Sequence, residues 1–435
     1  MQGSSFGFQS SCSGLRSAAL LAVGLLAGLC LPGGLQQQAR GGDWPQILGP
    51  HRNGVAAADE RLLTDWPADG PQVLWKKDVG SGFSGVAVAG ETAVLFHRVE
   101  NEEVAEAYDA ATGKVLWTHR APTSFSTGFS PDNGPRCVPL IHKGSVVLYG
   151  AQGRLTSLDL TSGKESWKRE THQEFGAREG YFGAGSTPIV AGGLVLVNVG
   201  GDREGAGVVA FDPTDGRTVW KATDEAASYS SPAVVEVDGV QQAVFVTRLK
   251  TVGLNPKNGE ILWEFPFGKR GPTVNAATPQ IVDGNVFVTA HYGVGAVLAR
   301  PAKNSVEVVW ASDAIMSSQY MTSVPSGSAL FGIDGQERVD TPVLKCFDPR
   351  TRNVYWAEED FGFGSLLRAG DQVLALLTDG TLVQFQATAK KYTELNRARV
   401  LTTTTRALPA LANGRLFVRD TKTLLCLQVG RNGGE

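Results

Sequence analysis

Apolar and polar positions alternate with period two along most of this chain, in short runs such as LVLVNV at 194–199. β-Branched residues fill these runs, and Gly, Asn and Asp punctuate them. That pattern predicts short antiparallel strands joined by tight hairpins.

The runs recur on two independent registers. Seven of the nine tryptophans, Trp75, Trp117, Trp167, Trp220, Trp263, Trp310 and Trp356, lie 42, 50, 53, 43, 47 and 46 residues apart. An eighth step lands near Leu395, where leucine replaces tryptophan. Five of the tryptophans have an acidic or amide residue eight positions earlier: Asp109, Asp159, Asp212, Asn255 and Asp348. The second register is a small-small-Pro phrase followed by an apolar pair and a glycine, as in TPIVAGG from Thr187. Its anchors are Gly85, Pro139, Pro188, Pro232, Pro279, Thr322, Ser365 and Pro409. Four strands in each unit of 40–50 residues, repeated eight times, predict an all-β, eight-bladed β-propeller, with seven blades as the alternative if the Leu395 unit is misread. The unit from Pro409 ends one strand short, whereas PQVLWKKD at 71–78 is a fourth strand with no blade before it. The N-terminal strand is therefore expected to complete the last blade and close the ring, removing exposed sheet edges.

The phrase FDPTDGRTVW at 211–220 nearly repeats YDAATGKVLW at 108–117 and LDLTSGKESW at 158–167. Its Asp is expected to accept backbone N–H groups one or two residues on. Gly216 supplies a positive φ, and Gly113, Gly163 and Gly259 hold the same place. The Trp, on the outermost strand, suits the gap between neighbouring blades. These residues read as structural. The phrase resembles the tryptophan-docking repeat of the PQQ (pyrroloquinoline quinone)-type eight-bladed propellers, which include quinoprotein alcohol dehydrogenases and BamB outer-membrane assembly lipoproteins. The likeness covers residues 71 to about 428. The lead-in DWPQILGPHRNGV at 43–55 is similar to that of secreted PQQ-like propellers of planctomycete-type bacteria. The resemblance implies the fold and two opposed functions, redox enzyme or assembly platform. Quinoprotein dehydrogenases of this fold carry adjacent, disulfide-bonded cysteines against the quinone, with a calcium ion and a catalytic aspartate. This chain has no adjacent cysteines, and none of the calcium or base residues can be carried over. No catalytic residue and no metal ligand is assigned, and no cofactor is expected; PQQ with calcium belongs only to the alternative, a periplasmic oxidoreductase.

Composition narrows the partners. The chain has 435 residues, 19% of them charged, and a net charge of −3, with no long basic run, so nucleic acid is not an expected partner. Residues 1–40 hold one positive charge, Arg16, then an apolar stretch from Ala18 to Leu31, the pattern of a secretory leader. Cleavage, lipidation at Cys30 and a retained anchor remain open. The domains expected are a leader at 1–40, an extension at 41–70 and the propeller at 71–430. The mature protein is expected to be exported, periplasmic or extracellular, monomeric and without a transmembrane domain. Cys137, Cys346 and Cys426 are too scattered for a disulfide framework, and Cys346 and Cys426 fall on equivalent third strands of different blades.

Candidate binding residues are those that depart from the repeat. Three positions before the anchors, where crowding favours small side chains, stand Arg136, Tyr229, Gln319 and Arg406. Phe83, Tyr320 and Phe363 follow one position later in their units. Facing the channel mouth, they form a polar-aromatic ring with two positive charges, suited to an anionic or sugar-like group. The alternative is that the arginines pair with loop carboxylates such as Asp132. Two connectors of about twenty residues, after Trp117 and Trp167, carry Phe125, Phe129, His172, Glu174, Phe175, Tyr181 and Phe182. Connectors that long in a tight array usually bind or cover something, although packing onto the propeller face accounts for the aromatics equally well. The expected function is a non-catalytic platform for a protein partner or a small polar or anionic ligand. A quinone-dependent oxidoreductase is the first alternative and a carbohydrate- or anion-binding propeller the second.

Overall fold

The computed structural model describes residues 42–203 and 205–430. The leader expected at 1–40 lies outside the described residues. Among the described residues, thirty-two strands form eight four-stranded antiparallel sheets, and seven of these use four consecutive strands. Blade 3 shows the strand order, with Ile189–Ala191, Leu194–Gly201, Ala206–Phe211 and Thr218–Ala222 from the axis outward. In the eighth blade, strand Gln72–Asp78 supplies the outermost position beside Thr423–Gln428, pairing Trp75 with Cys426. The ring closes as its two incomplete ends require. Among the described residues, no helix is long and apolar enough to cross a membrane.

The repeat phrase joins each blade to the next. The Trp75, Trp117, Trp167 and Trp220 indoles lie over Gly113, Gly163, Gly216 and Gly259 of the following blade, where an added Cβ would come within 2.7 Å of a ring atom. Each of these glycines has φ between 69° and 77°, so close approach and left-handed backbone both require it. The indole N–H groups also donate across the seam: Trp117 to the Leu160 carbonyl at 2.8 Å, Trp167 to Pro213 at 2.9 Å and Trp310 to Pro349 at 2.7 Å. Trp263 instead donates to Gln242 Oε1 at 2.6 Å, and the Gln242 amide reaches the Ala302 carbonyl at 3.0 Å. The aspartates hold the turn: Asp109 and Asp159 accept N–H groups three residues on, and Asp212 one two residues on. The reach is slightly longer than the sequence suggests.

Two expectations need correction. The missing eighth tryptophan is replaced by Asn396, not Leu395. A β-bulge precedes every tryptophan of the first six blades, and the corresponding bulge in blade 7 falls between the partners of Gln384 and Phe385, placing Asn396 in register. Asn396 and Gln384 donate to the Thr64 and Leu63 carbonyls at 2.7 and 2.9 Å, so lead-in chain occupies the site an indole covers elsewhere. Phe363, expected at the mouth, is buried in the core shared by blades 6 and 7.

The lead-in is built into the propeller. Trp44, 2% exposed, bridges Val88; Ala56 donates to the Arg368 carbonyl, and Glu60 accepts the Gly414 N–H. All three contacts lie on the first strands or the turns that follow them, so residues 43–63 cover the end of the ring opposite the mouth. Arg52 is 3% exposed and donates to the carbonyls of Pro232, Pro188 and Thr187 at 2.8, 2.9 and 3.0 Å. Burial pulls its pKa down to about 9.

Candidate functional site

First strands enter the ring at the mouth, and their entry segments are linked to one another. The Phe83 and Ser84 N–H groups share the Pro135 carbonyl, and those of Tyr229 and Ser230 share Asn275. This lattice fixes the residues that depart from the repeat. The Arg136 guanidinium carbon lies 5.6 Å from the Phe83 and Phe182 ring centroids, and that of Arg406 lies 5.5 Å from Phe83. Phe182 meets Tyr229 edge-on at 5.6 Å, and its N–H donates to the Tyr229 hydroxyl at 2.9 Å. Arg406 grips Glu337 through two nitrogens at 2.8–3.0 Å, and the Tyr320 hydroxyl donates to the same carboxylate at 3.0 Å. Gln319 accepts the Glu337 N–H and donates to the Tyr292 hydroxyl, each at 3.0 Å. Arg136, Tyr229, Gln319, Tyr320, Arg406 and Phe182 therefore belong to one continuous network.

Glu337 holds half of that network and was missed in the sequence. It sits in an unremarkable hairpin loop, IDGQERVD, and only the propeller topology brings it to Arg406 across 69 residues. Burial opposes its ionisation, but the Arg406 hydrogen bonds and charge prevail and hold it below the usual carboxylate range. Burial, then the Glu337 charge, pushes the Tyr320 hydroxyl upward. The alternative of loop-carboxylate pairing holds for Arg406 with Glu337. Arg136 differs: it donates to the carbonyls of Gly134 and Asp132 at 2.7 and 2.9 Å. The Asp132 carboxylate instead accepts the Gly82 and Gly134 N–H groups. Glu337 cancels the Arg406 charge, so the two arginines do not form the doubly positive mouth that the sequence suggests.

The two long connectors meet beside this network. Thr127 Oγ1 donates to the Tyr181 carbonyl, and the Phe129 ring lies edge-on to Tyr181 at 4.8 Å while remaining 66% exposed. Three residues grouped with this surface do other work. Phe175 is buried between blades 2 and 3, against Phe211. Phe125 is 2% exposed. Glu174 pairs with Arg169, whose guanidinium also reaches the Gly216 carbonyl and braces the seam under Trp167. His172 packs edge-on against Tyr149 at 6.2 Å, and burial lowers its pKa to about 4, leaving a neutral imidazole. Cys137, Cys346 and Cys426 are each buried and unpaired. Among the described residues, no three His, Cys, Asp or Glu side chains cluster as metal ligands.

Eight sheets around an axis, seven of them carrying the repeat tryptophan and the last completed by the N-terminal strand, define a PQQ-type β-propeller. The family model described as outer membrane protein assembly factor BamB matches residues 48–184 and 100–358, and the chain belongs to that family. Its fold is shared by BamB from Moraxella catarrhalis, at 14% identity and a TM-score of 0.59 over 82% of this chain and 99% of the other. Quinohemoprotein alcohol dehydrogenase from Comamonas testosteroni gives a TM-score of 0.64 at 15% identity, covering 91% and 82% of the two chains. By sequence, the quinone alcohol dehydrogenase subunit of Komagataeibacter europaeus is 32% identical over 140 residues, 29% of this chain and 18% of the relative. Quinoprotein alcohol dehydrogenase from Pseudomonas putida is 28% identical over 151 residues, 33% and 25% respectively. The matched region is thus a quarter or less of these enzymes' length.

Proposed function

We propose that this protein is an exported, non-catalytic propeller whose mouth face serves as a binding and assembly platform for a protein partner. The observation that carries the reading is the exposed Phe129 ring, packed edge-on against the half-buried Tyr181 on two interlocked connectors above the ring. Exposed aromatics on a pre-organised base are the usual anchors of protein interfaces. The family description as an assembly factor and the leader-like pattern of residues 1–40 favour the same reading. Within the Arg406 network the Glu337 carboxylate is engaged by Arg406 and Tyr320, and the arginines by carbonyls, rings and Glu337, so none of these groups is free to act as a base. Among the described residues, Cys137, Cys346 and Cys426 are far apart in sequence and belong to different blades or their entry segments, unlike the adjacent pair of the quinone enzymes.

A photo-crosslinking residue at position 129 should capture a discrete polypeptide in the native host. The same probe at Val240, on a hairpin turn at the opposite end of the ring, should not. Equal capture at both positions overturns the platform. Separately, PQQ with calcium should leave the protein's absorbance and melting temperature unchanged and yield no dye-linked alcohol oxidation; turnover overturns the non-catalytic reading.

A further inference from the structure

Beside the aromatic prominence, between the entry connectors of blades 3, 4 and 5, lies a cavity of about 460 Å³, within the usual range of about 300–1,000 Å³ for small-molecule sites. Its lining includes His172, Asn198, Asp202 and Tyr229, with Phe129 and Tyr181 at the rim. Asn198 is 3% exposed, and neither the oxygen nor the nitrogen of its amide has a protein partner. His172 Nδ1 and Asp202 Oδ1 are also buried without one. Buried amides are nearly always hydrogen-bonded, because losing water without a replacement partner is costly.

The neighbouring blades show that this arrangement departs from the repeat. Two residues past the second-strand partner of each first strand's opening residue stand His97, Tyr149, Asn198, Val246, Thr289 and Arg419 in blades 1, 2, 3, 4, 5 and 8. His97 accepts the Gly80 N–H, Tyr149 meets Thr171, Thr289 accepts the Ser318 N–H, and Arg419 donates to the Gly80 carbonyl. Valine in blade 4 needs no partner. Asn198 alone of these polar residues has none. Blade 3 also differs in its backbone: its second and third strands shift register between Asn198 and Gly201, whereas the other blades keep that pairing regular. The bulge, with Gly200 at φ 79°, turns the loop bearing Asp202 over the cavity. Bulges at such places re-aim side chains.

We propose that this cavity binds a small neutral saccharide. Its unused groups are two acceptors, on Asn198 and Asp202, one donor, the Asn198 amide, and His172 Nδ1, which in the neutral ring either donates or accepts, a set that suits a ligand whose hydroxyls do both. Arg178 and Arg248 are balanced by Glu179 and Asp202, so the lining favours neither an anion nor a cation. The Phe129 and Tyr181 faces supply the apolar surface on which a sugar ring's C–H face packs.

The test uses the purified protein with glucose, N-acetylglucosamine and maltose, each at millimolar concentration, followed by saturation-transfer NMR and calorimetry. Putrescine and inorganic phosphate serve as counter-probes. At least one saccharide should bind saturably, and Asn198→Val should weaken it about tenfold or more while melting at the same temperature or higher. Asp202→Ala, in an open loop, should weaken it similarly and carries the test if Asn198→Val does not fold. No saccharide binding, unchanged affinity in both variants, or preference for putrescine or phosphate would overturn the assignment.

Discussion

Within the ring, the guanidinium of Arg52, carried in by the lead-in, is held by backbone carbonyls of blades 3 and 4; at the mouth, Arg406 is held by the side chain of Glu337. The first arrangement is tied to the scaffold itself, because those carbonyls belong to the segments that enter the first strands. The second depends on loop residues that substitution can change without disturbing a strand. The lead-in thus ties its arginine chiefly to main chain of the blades, whereas the mouth joins Arg406 to a loop carboxylate, holds Arg136 on loop carbonyls and leaves Asn198 with no protein partner. Function is therefore sought at the mouth.

The largest expected effect is at the lead-in. Arg52→Met should destabilise the protein by about 3–5 kcal/mol in chemical denaturation, because three buried carbonyls lose charge-assisted partners. A loss below about 1 kcal/mol would remove the distinction between the two regions. Glu337→Gln should cost less, about 1–2 kcal/mol, since the pair is partly exposed. Its pH dependence is directional. Glu337 titrates below its ordinary value of 4.5 in the folded protein, so its contribution is complete above that pH and is lost as pH falls through the lower folded value. The wild-type stability advantage over Glu337→Gln should shrink accordingly below about pH 4.5, with Arg406, Tyr320 and Arg338 the groups that face the carboxylate. Persistence of the full difference under acid would contradict the ion-pair account. The smallest effect belongs to the prominence: Phe129→Ser should change stability by no more than about 0.5 kcal/mol while abolishing crosslinking to the partner through neighbouring positions. A large destabilisation would make Phe129 scaffold and the platform unfounded.

The fold was legible because its signals are local and repeated. An indole, a turn glycine and an aspartate or asparagine recur at fixed separations in blades 1 to 4, where each turn glycine receives the indole of the preceding blade. Legibility failed where the repeat failed: Leu395 attracted attention as the apolar residue near the expected spacing, but strand register puts Asn396 there and makes the lead-in the filler. The mouth was half visible. Bulky residues where crowding calls for small ones identified Arg136, Tyr229, Gln319, Tyr320 and Arg406. Their partner Glu337 lies in another blade's loop and carries no local mark. Asn198 had a faint one, a polar residue at a buried position within LVLVNV, but its lack of a partner emerges only once its neighbours are placed.

The closing strand carries a further consequence, for the time course of folding. Gln72–Asp78 pairs with Thr423–Gln428, so the earliest propeller strand made must wait for nearly the last. During synthesis its edge is open, and open apolar edges invite pairing with other chains. Lys76 and Lys77 sit on that strand beside Trp75, and charges there discourage the wrong partner without hindering the right one. Pairing with Thr423–Gln428 covers one side of this outermost strand, and until then two lysines within its seven residues guard it.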